Sequence, residues 1–429
     1  MSRSARPERR LLAGVARAGA VVAAATMIAL AGATPAHADT VRDLEYWLTD
    51  YGFTTAWNSS RGEGVTVAII DTGVNGNVAE LRGAIVGGTD VSGLGSPDGQ
   101  TPVGDDPNHG TLVASLLAGR GTGEGNGVIG VAPEADLLTA SVAFGQDTGA
   151  EKSNDDQIAE AVRWAVDSGA DVINMSLTRN TRDWPESWDD AFMYAFENDV
   201  VVVAAAGNRG SGTSEVGAPA TIPGVLTVAG VDREKNASFD ASSQGITIAV
   251  AAPSEDLVGV LPDGGYVQWD GTSAAAPIVS GLVALVRSEY PELDAANVIE
   301  RVIRTADPNG HDVPSPLYGW GLIDPVPALT ADVDEVEANP LGSLADWIAL
   351  HRRAEVPAPA TDAENQPIVP IADPPLPRSD GAQTLLPTAW TLAYITVPLS
   401  LVAGFGTLAT LLGIGATRHT RRTVRTREQ

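Results

Sequence analysis

Apolar residues in the middle of the chain follow two rhythms. Val65-Thr66-Val67-Ala68-Ile69-Ile70, Asp171-Val172-Ile173-Asn174-Met175-Ser176, Val200-Val201-Val202-Val203-Ala204-Ala205-Ala206 and the run from Val225 to Val231 are short, near-continuous and rich in β-branched residues. Such runs predict strands buried on both faces, as in a parallel sheet covered by helices. From Asp156 to Ser168 the period changes, and Ile158, Ala161, Val162, Ala165 and Val166 share one helical face. The stretch HGTLVASLLAG from His109 and the stretch Ala274 to Arg287 also read as helices. The alternation predicts an α/β fold with a mainly parallel sheet between helices. Ligands of such sheets bind at the carboxyl ends of the strands. Asp71 closes the first run and Gly207-Asn208 closes the third.

The two ends follow other patterns. Residues 1–38 combine Arg3, Arg6, Arg9 and Arg10, an Ala-rich apolar stretch from Ala18 to Ala33, and Ala36-His37-Ala38. This predicts a secretory signal with an A-x-A cleavage pattern, the alternative being an uncleaved anchor. From Gly381 through Thr417 there is no Asp, Glu, Lys or Arg, and residues 389–414 are long and apolar enough to cross a bilayer. Five arginines follow in the tail 415–429, which predicts a cytoplasmic C-terminus and an extracellular bulk. Residues 331–387 are expected to be a Pro-rich linker, with eight prolines between Val356 and Pro387 and a short helix within 340–355. That leaves an extension over 39–64 and one large domain over 65–330.

Charge and cysteine narrow the function. The chain has a net charge of −27. Its ends hold ten arginines and two glutamates, so the remainder carries 17 basic and 52 acidic residues, a net of −35. Nucleic acid is therefore excluded as a partner. The absence of cysteine excludes disulfides, a thiol nucleophile and Cys-bound metal. No cofactor is expected. Asp105-Asp106 is a calcium candidate by charge, without a recognisable ligand spacing.

Three blocks carry candidate chemistry: Asp71-Thr72-Gly73-Val74, His109-Gly110-Thr111-Leu112-Val113-Ala114 and Gly271-Thr272-Ser273-Ala274-Ala275-Ala276-Pro277. A serine hydroxyl needs a base to become nucleophilic, and the base needs a third group to fix its tautomer. Among five histidines, His37 and His419 lie in the terminal segments, His351 at the linker and His311 in a turn-rich loop, which leaves His109 as the base. Ser273 begins a helical stretch, where an N-cap role and a nucleophile role both fit. Asn208 is read either as a turn residue or as an amide donor to an oxyanion.

These blocks, together with Ala206-Gly207-Asn208, resemble the subtilisin-like serine peptidases (subtilases) from about Gly62 to Ala328. The resemblance implies a subtilisin-like three-layer fold, an Asp71, His109 and Ser273 triad, and Asn208 as oxyanion donor. It also implies that Ser176-Leu177-Thr178 pairs with substrate backbone as an edge strand, with an opposing edge near Glu151 to Ser153. The layout of signal, catalytic domain, Pro-rich linker, one span and basic tail is similar to the mycosins, membrane-anchored subtilases associated with type VII secretion. The chain departs from the family at Thr178 and Ser115, where glycine is usual, at Ala274, where a larger residue is usual, and in lacking the disulfides common in mycosins. Thr178 is expected to narrow the specificity pocket. The expected activity is that of a cell-surface serine endopeptidase on protein or peptide substrates, anchored to the membrane and associated with a secretion complex. The alternative is a scaffold of that complex in which proteolysis is secondary.

Overall fold

A computed structural model describes residues 41–145 and 147–352. The predicted signal, the linker from residue 353 onward, the span 389–414 and the tail 415–429 lie outside the described residues. Among the described residues, no helix is long and apolar enough to cross a membrane.

Seven parallel strands form one sheet in the order β2-β3-β1-β4-β5-β6-β7. They are β1 Thr66–Asp71, β2 Ile85–Asp90, β3 Asp136–Ser141, β4 Val172–Met175, β5 Val201–Ala205, β6 Leu226–Val231 and β7 Ile248–Pro253. The four apolar runs read from sequence are β1, β4, β5 and β6. After β1 the chain moves out to β2, returns as β3 and crosses to the far side of β1 as β4. The ends of β1 and β4 are therefore neighbours, paired through Val67 with Val172 and Ile69 with Asn174. An antiparallel pair, β8 Leu257–Val260 and β9 Tyr266–Trp269, stands apart from this sheet.

Among the described residues, nine α-helices surround the strands: α1 Tyr46–Asp50, α2 Phe53–Ala56, α3 His109–Ala118, α4 Asn154–Asp167, α5 Glu186–Glu197, α6 Thr272–Glu289, α7 Ala295–Arg304, α8 Pro325–Thr330 and α9 Leu344–His351. Helices α3 and α6 pack together on one face of the sheet, α4 and α5 on the other. The result is the expected α/β arrangement of a parallel sheet flanked by helices. Its interior is aliphatic, with Ile69, Ile70, Leu116, Leu137 and Ile173 all fully buried.

Both flanks of the domain belong to its body. In the extension, Trp47 and Phe53 are fully buried. The Arg42 guanidinium donates to the carbonyls of Asn126 and Gly127 at 3.0 and 2.7 Å, and Trp57 Nε1 donates to Val131 O at 2.8 Å. The domain also runs past residue 330, which corrects the linker boundary drawn from sequence. Val336 N donates to Asn297 Oδ1 (2.7 Å), Asn339 Nδ2 to Gly224 O (3.0 Å) and Arg352 Nε to Asp189 Oδ2 (2.8 Å). Leu344 is buried, and the Trp347 ring lies against Trp184 with centroids 4.4 Å apart. Prolines alone mark a segment as unable to continue a helix; what ties 331–352 down is hydrogen bonding to two distant helices and the loop at Gly224.

Candidate active site

Asp71 ends β1 and is 1% exposed. Thr72 orients it: the Thr72 N–H donates to Oδ1 at 2.7 Å and the hydroxyl donates to the same oxygen at 3.3 Å. That hydroxyl also accepts the N–H of Gly110 at 3.0 Å, which fastens the start of α3 to the turn after β1. His109 is the first residue of α3, and its Nδ1 lies 2.8 and 3.0 Å from the two Asp71 oxygens. A carboxylate only accepts, so Nδ1 carries the proton and a neutral ring presents its lone pair at Nε2. Trp269 of β9 meets the ring edge-on, with centroids 5.7 Å apart and planes at 76°. Burial pushes the His109 pKa down, but the Asp71 charge, the hydrogen bond to it and the charge of Asp106 push it up, and the balance lies above the usual value of 6.5.

Ser273 stands in the first turn of α6, after Gly271 in its N-cap position. First-turn N–H groups have no partner within their own helix, so the Ser273 N–H is left for an outside acceptor, with the helix dipole behind it. Its hydroxyl donates to the carbonyl of Ser176 at 3.1 Å. Among the described residues, no hydrogen bond joins Ser273 Oγ to His109. Asn208 follows the end of β5, and its Oδ1 accepts both the N–H and the hydroxyl of Thr272 at 2.9 and 2.8 Å. A main-chain N–H can only donate, so the amide orientation is fixed: oxygen toward Thr272, the NH2 group beside Gly271.

Ser176-Leu177-Thr178 runs past the end of β4. Ser176 is buried and Leu177 and Thr178 are half-buried. The Arg179 N–H donates to Ala218 O at 2.7 Å, but Leu177 and Thr178 donate no main-chain hydrogen bond among the described residues. The Thr178 side chain fills the space between two glycines: a Cβ on Gly207 would lie 3.3 Å from its Cγ2, and one on Gly217 would lie 2.6 Å from its Oγ1. Glu151 to Ser153, expected as an opposing edge, forms no strand; Ser153 caps α4 by accepting the Asp156 N–H. Ser115 uses its hydroxyl to join elements, donating to Leu112 O at 2.7 Å and accepting the Val260 N–H of β8 at 3.1 Å. His311 stacks on Tyr318, with centroids 4.1 Å apart, and serves no carboxylate.

The structure thus brings Asp71, His109, Ser273, Asn208 and Ser176 to Thr178 to one end of the sheet. Sequence reading missed Thr72, Thr272 and Trp269. The two threonines were legible as neighbours of acid and serine, but their contacts were not. Trp269 is four residues before Ser273, and nothing in its local sequence points to His109. Among the described residues, no group of three or more His, Cys, Asp or Glu side chains is placed to hold a metal ion.

Residues 62–321 match the Subtilase family, Peptidase S8. Subtilisin DY of Bacillus licheniformis is 37% identical over 267 residues, which span 62% of this chain and 90% of that protein. The MycP3 protease from the type VII (ESX-3) secretion system, a mycosin, superposes with a TM-score of 0.57 at 35% identity, over 67% of this chain and 88% of the other. A chain in the periplasmic assembly from the ESX-5 inner membrane complex superposes with a TM-score of 0.57 at 30% identity, over 69% of this chain and 86% of the other.

Proposed function

The chain belongs to the subtilase family of serine endopeptidases, and on that premise we propose that Asp71, His109 and Ser273 form its catalytic triad and that Asn208 stabilises the oxyanion. The observation that carries this reading is the two-oxygen grip of Asp71 on His109 Nδ1, which leaves the Nε2 lone pair as the base. Substrate enters as an extended strand along Ser176 to Thr178. A substrate N–H arriving at the Ser176 carbonyl competes with the Ser273 hydroxyl that rests there, and releases it toward His109. Nε2 takes the Ser273 proton, Oγ bonds to the peptide carbonyl carbon, and the carbonyl π electrons move to its oxygen. Asn208 Nδ2 and the Ser273 N–H receive that charge. The His109 proton then passes to the leaving nitrogen as the C–N bond breaks, and water, deprotonated by the same ring, releases the acyl group. Thr178 narrows the pocket and favours small residues before the scissile bond.

The terminal segments support a cell-membrane location, with the signal 1–38 directing export, the span 389–414 anchoring the chain and the catalytic domain outside. The likeness to a type VII secretion protease supports a role in processing substrates of such a system or supporting it. A second reading has its own observation, the likeness to a chain of the ESX-5 periplasmic assembly: the protein holds a secretion complex together and proteolysis is secondary. The test of chemistry is labelling of the full chain by a fluorophosphonate, which should occur in the wild type and vanish in Ser273→Ala; persistent labelling of Ser273→Ala defeats the assignment. In cells, loss of secretion in Ser273→Ala supports the enzyme reading, whereas normal secretion with an inert chain supports the scaffold.

A further inference from the structure

Pro277 lies within α6, four residues after Ser273. In an α-helix each carbonyl is taken by the N–H four residues on, and proline has no N–H. The Ser273 carbonyl therefore cannot be satisfied by its own helix. The Ser176 hydroxyl, 97 residues away in sequence, donates to it at 2.8 Å. Ser176 Oγ in turn accepts from Asn174 Nδ2 at 3.1 Å, and Asn174 Oδ1 accepts from Ser280 Oγ at 2.8 Å. Asn174 and Ser280 are fully buried and Ser176 is nearly so. Ser280 lies two helical turns beyond Ser273, so both face β4 from the same side of α6.

The chain of donors runs one way. A serine hydroxyl has a single proton, and Ser176 gives it to the Ser273 carbonyl without competition while Asn174 presents a donor rather than an acceptor. Were the Asn174 amide reversed, its oxygen would draw the Ser176 proton and leave the Ser273 carbonyl without a partner. Ser280 opposes that reversal by donating to Oδ1. We propose that Ser280, acting through Asn174 and Ser176, is a positioning residue for the Ser273 nucleophile, and that this relay replaces the helical hydrogen bond that Pro277 removes. The proposal rests on the reading of Ser273 as nucleophile. The turn it steadies carries both the Ser273 hydroxyl and the Ser273 N–H, so its loss disturbs attack and oxyanion binding together. The relay uses the Ser176 side chain, whereas substrate meets the main chain of Ser176 to Thr178, so the larger effect falls on kcat and the smaller on KM.

The test uses the full chain in detergent as wild type, Ser280→Ala, Ser176→Ala and the double variant. The readings are the second-order rate of fluorophosphonate labelling, kcat and KM on a peptide with a small residue before the scissile bond, and the thermal midpoint. Ser280→Ala should lower labelling and kcat about tenfold, short of the ~10²-fold that an ångström of misplacement costs, with KM essentially unchanged. Ser176→Ala should fall at least as far, and the double variant no further, because one relay can be broken only once. Ser280→Cys, close in shape with a weaker donor, should fall between wild type and Ser280→Ala. Wild-type rates in a folded Ser280→Ala, losses that multiply in the double variant, or a loss confined to KM each overturn the proposal. If Ser280→Ala does not fold, Ser280→Cys carries the comparison, and wild-type rates there overturn it equally. A wild-type chain that takes no label overturns the protease reading and the proposal with it; normal wild-type labelling with an unaffected Ser280 variant overturns the proposal alone.

Discussion

Thr272 donates both its N–H and its hydroxyl to Asn208 Oδ1, at 2.9 and 2.8 Å, and by doing so turns the amide NH2 group outward. Asn208→Ala should therefore lower kcat by ~10²–10³, the range known for the equivalent donor in a subtilisin, with KM little changed. Thr272→Val keeps the shape and the N–H but loses the hydroxyl, and should lose far less. Steady-state kinetics on one peptide separates the two; equal losses would show that Asn208 is held by something other than Thr272.

The pH profile follows from His109. With His109 as the proposed base, activity requires the neutral ring, and its pKa lies above 6.5 because Asp71 and Asp106 outweigh burial. The rising limb of kcat/KM in the free enzyme should have its midpoint above about 6.5. Asp106→Asn should move that limb to lower pH, since it removes one of the charges that favour the imidazolium. The same sign governs stability: the folded protein holds this proton more tightly than the unfolded chain. The group thus stabilises the fold fully below the unfolded pKa, and its contribution fades as pH rises through the folded value. A limb centred below 6.5 would contradict this balance.

Thr178 occupies the space between Gly207 and Gly217. On a peptide library the wild type should favour small residues before the scissile bond, by roughly the ~1–3 kcal/mol that a methyl-sized difference commands in a pocket. Thr178→Gly should widen acceptance to Phe and Leu. Equal cleavage after Ala and Phe by the wild type would defeat this prediction.

Both flanks should be needed for stability. Trp47 is fully buried, and Trp47→Ala should cost ~3–5 kcal/mol. A soluble fragment ending at residue 331 should melt below one ending at 352, since burial of Leu344 alone contributes ~2 kcal/mol. Thermal unfolding of the two fragments, and activity of chains with residues 41–57 intact, gives the comparison. Activity that emerges only once 41–57 is removed would show that the extension is an inhibitory segment.

Local patterns exposed the centre of the fold and left its margins hidden. The runs at Val65, Asp171, Val200 and Val225 were legible because strands buried on both faces admit little but apolar residues. β2 was not, because Ile85-Val86-Gly87-Gly88-Thr89-Asp90 lies at the sheet edge, with Val86 exposed. Asp71, His109 and Ser273 stood out as candidates because small residues crowd each of them. Ser280 did not, because its one functional contact crosses 106 positions to Asn174. The same holds for Asn297 and Val336, which exchange two hydrogen bonds and carry no local sign of doing so.

At the join between acid and base, main chain meets main chain. A Cβ on Gly110 would fall 2.3 Å from the carbonyl oxygen of Gly73, so the helix that begins with His109 rests directly on the turn that follows Asp71. The spacing of the two ionisable groups is thus set by backbone contact, with the short Thr72 hydroxyl as the one side-chain bridge named here, between Asp71 Oδ1 and the Gly110 N–H. Variation that retunes this base has to come from outside the pair, through the Trp269 wall or the charge at Asp106. An engineer adjusting the working pH of the protein would start with those two positions and leave the glycines alone.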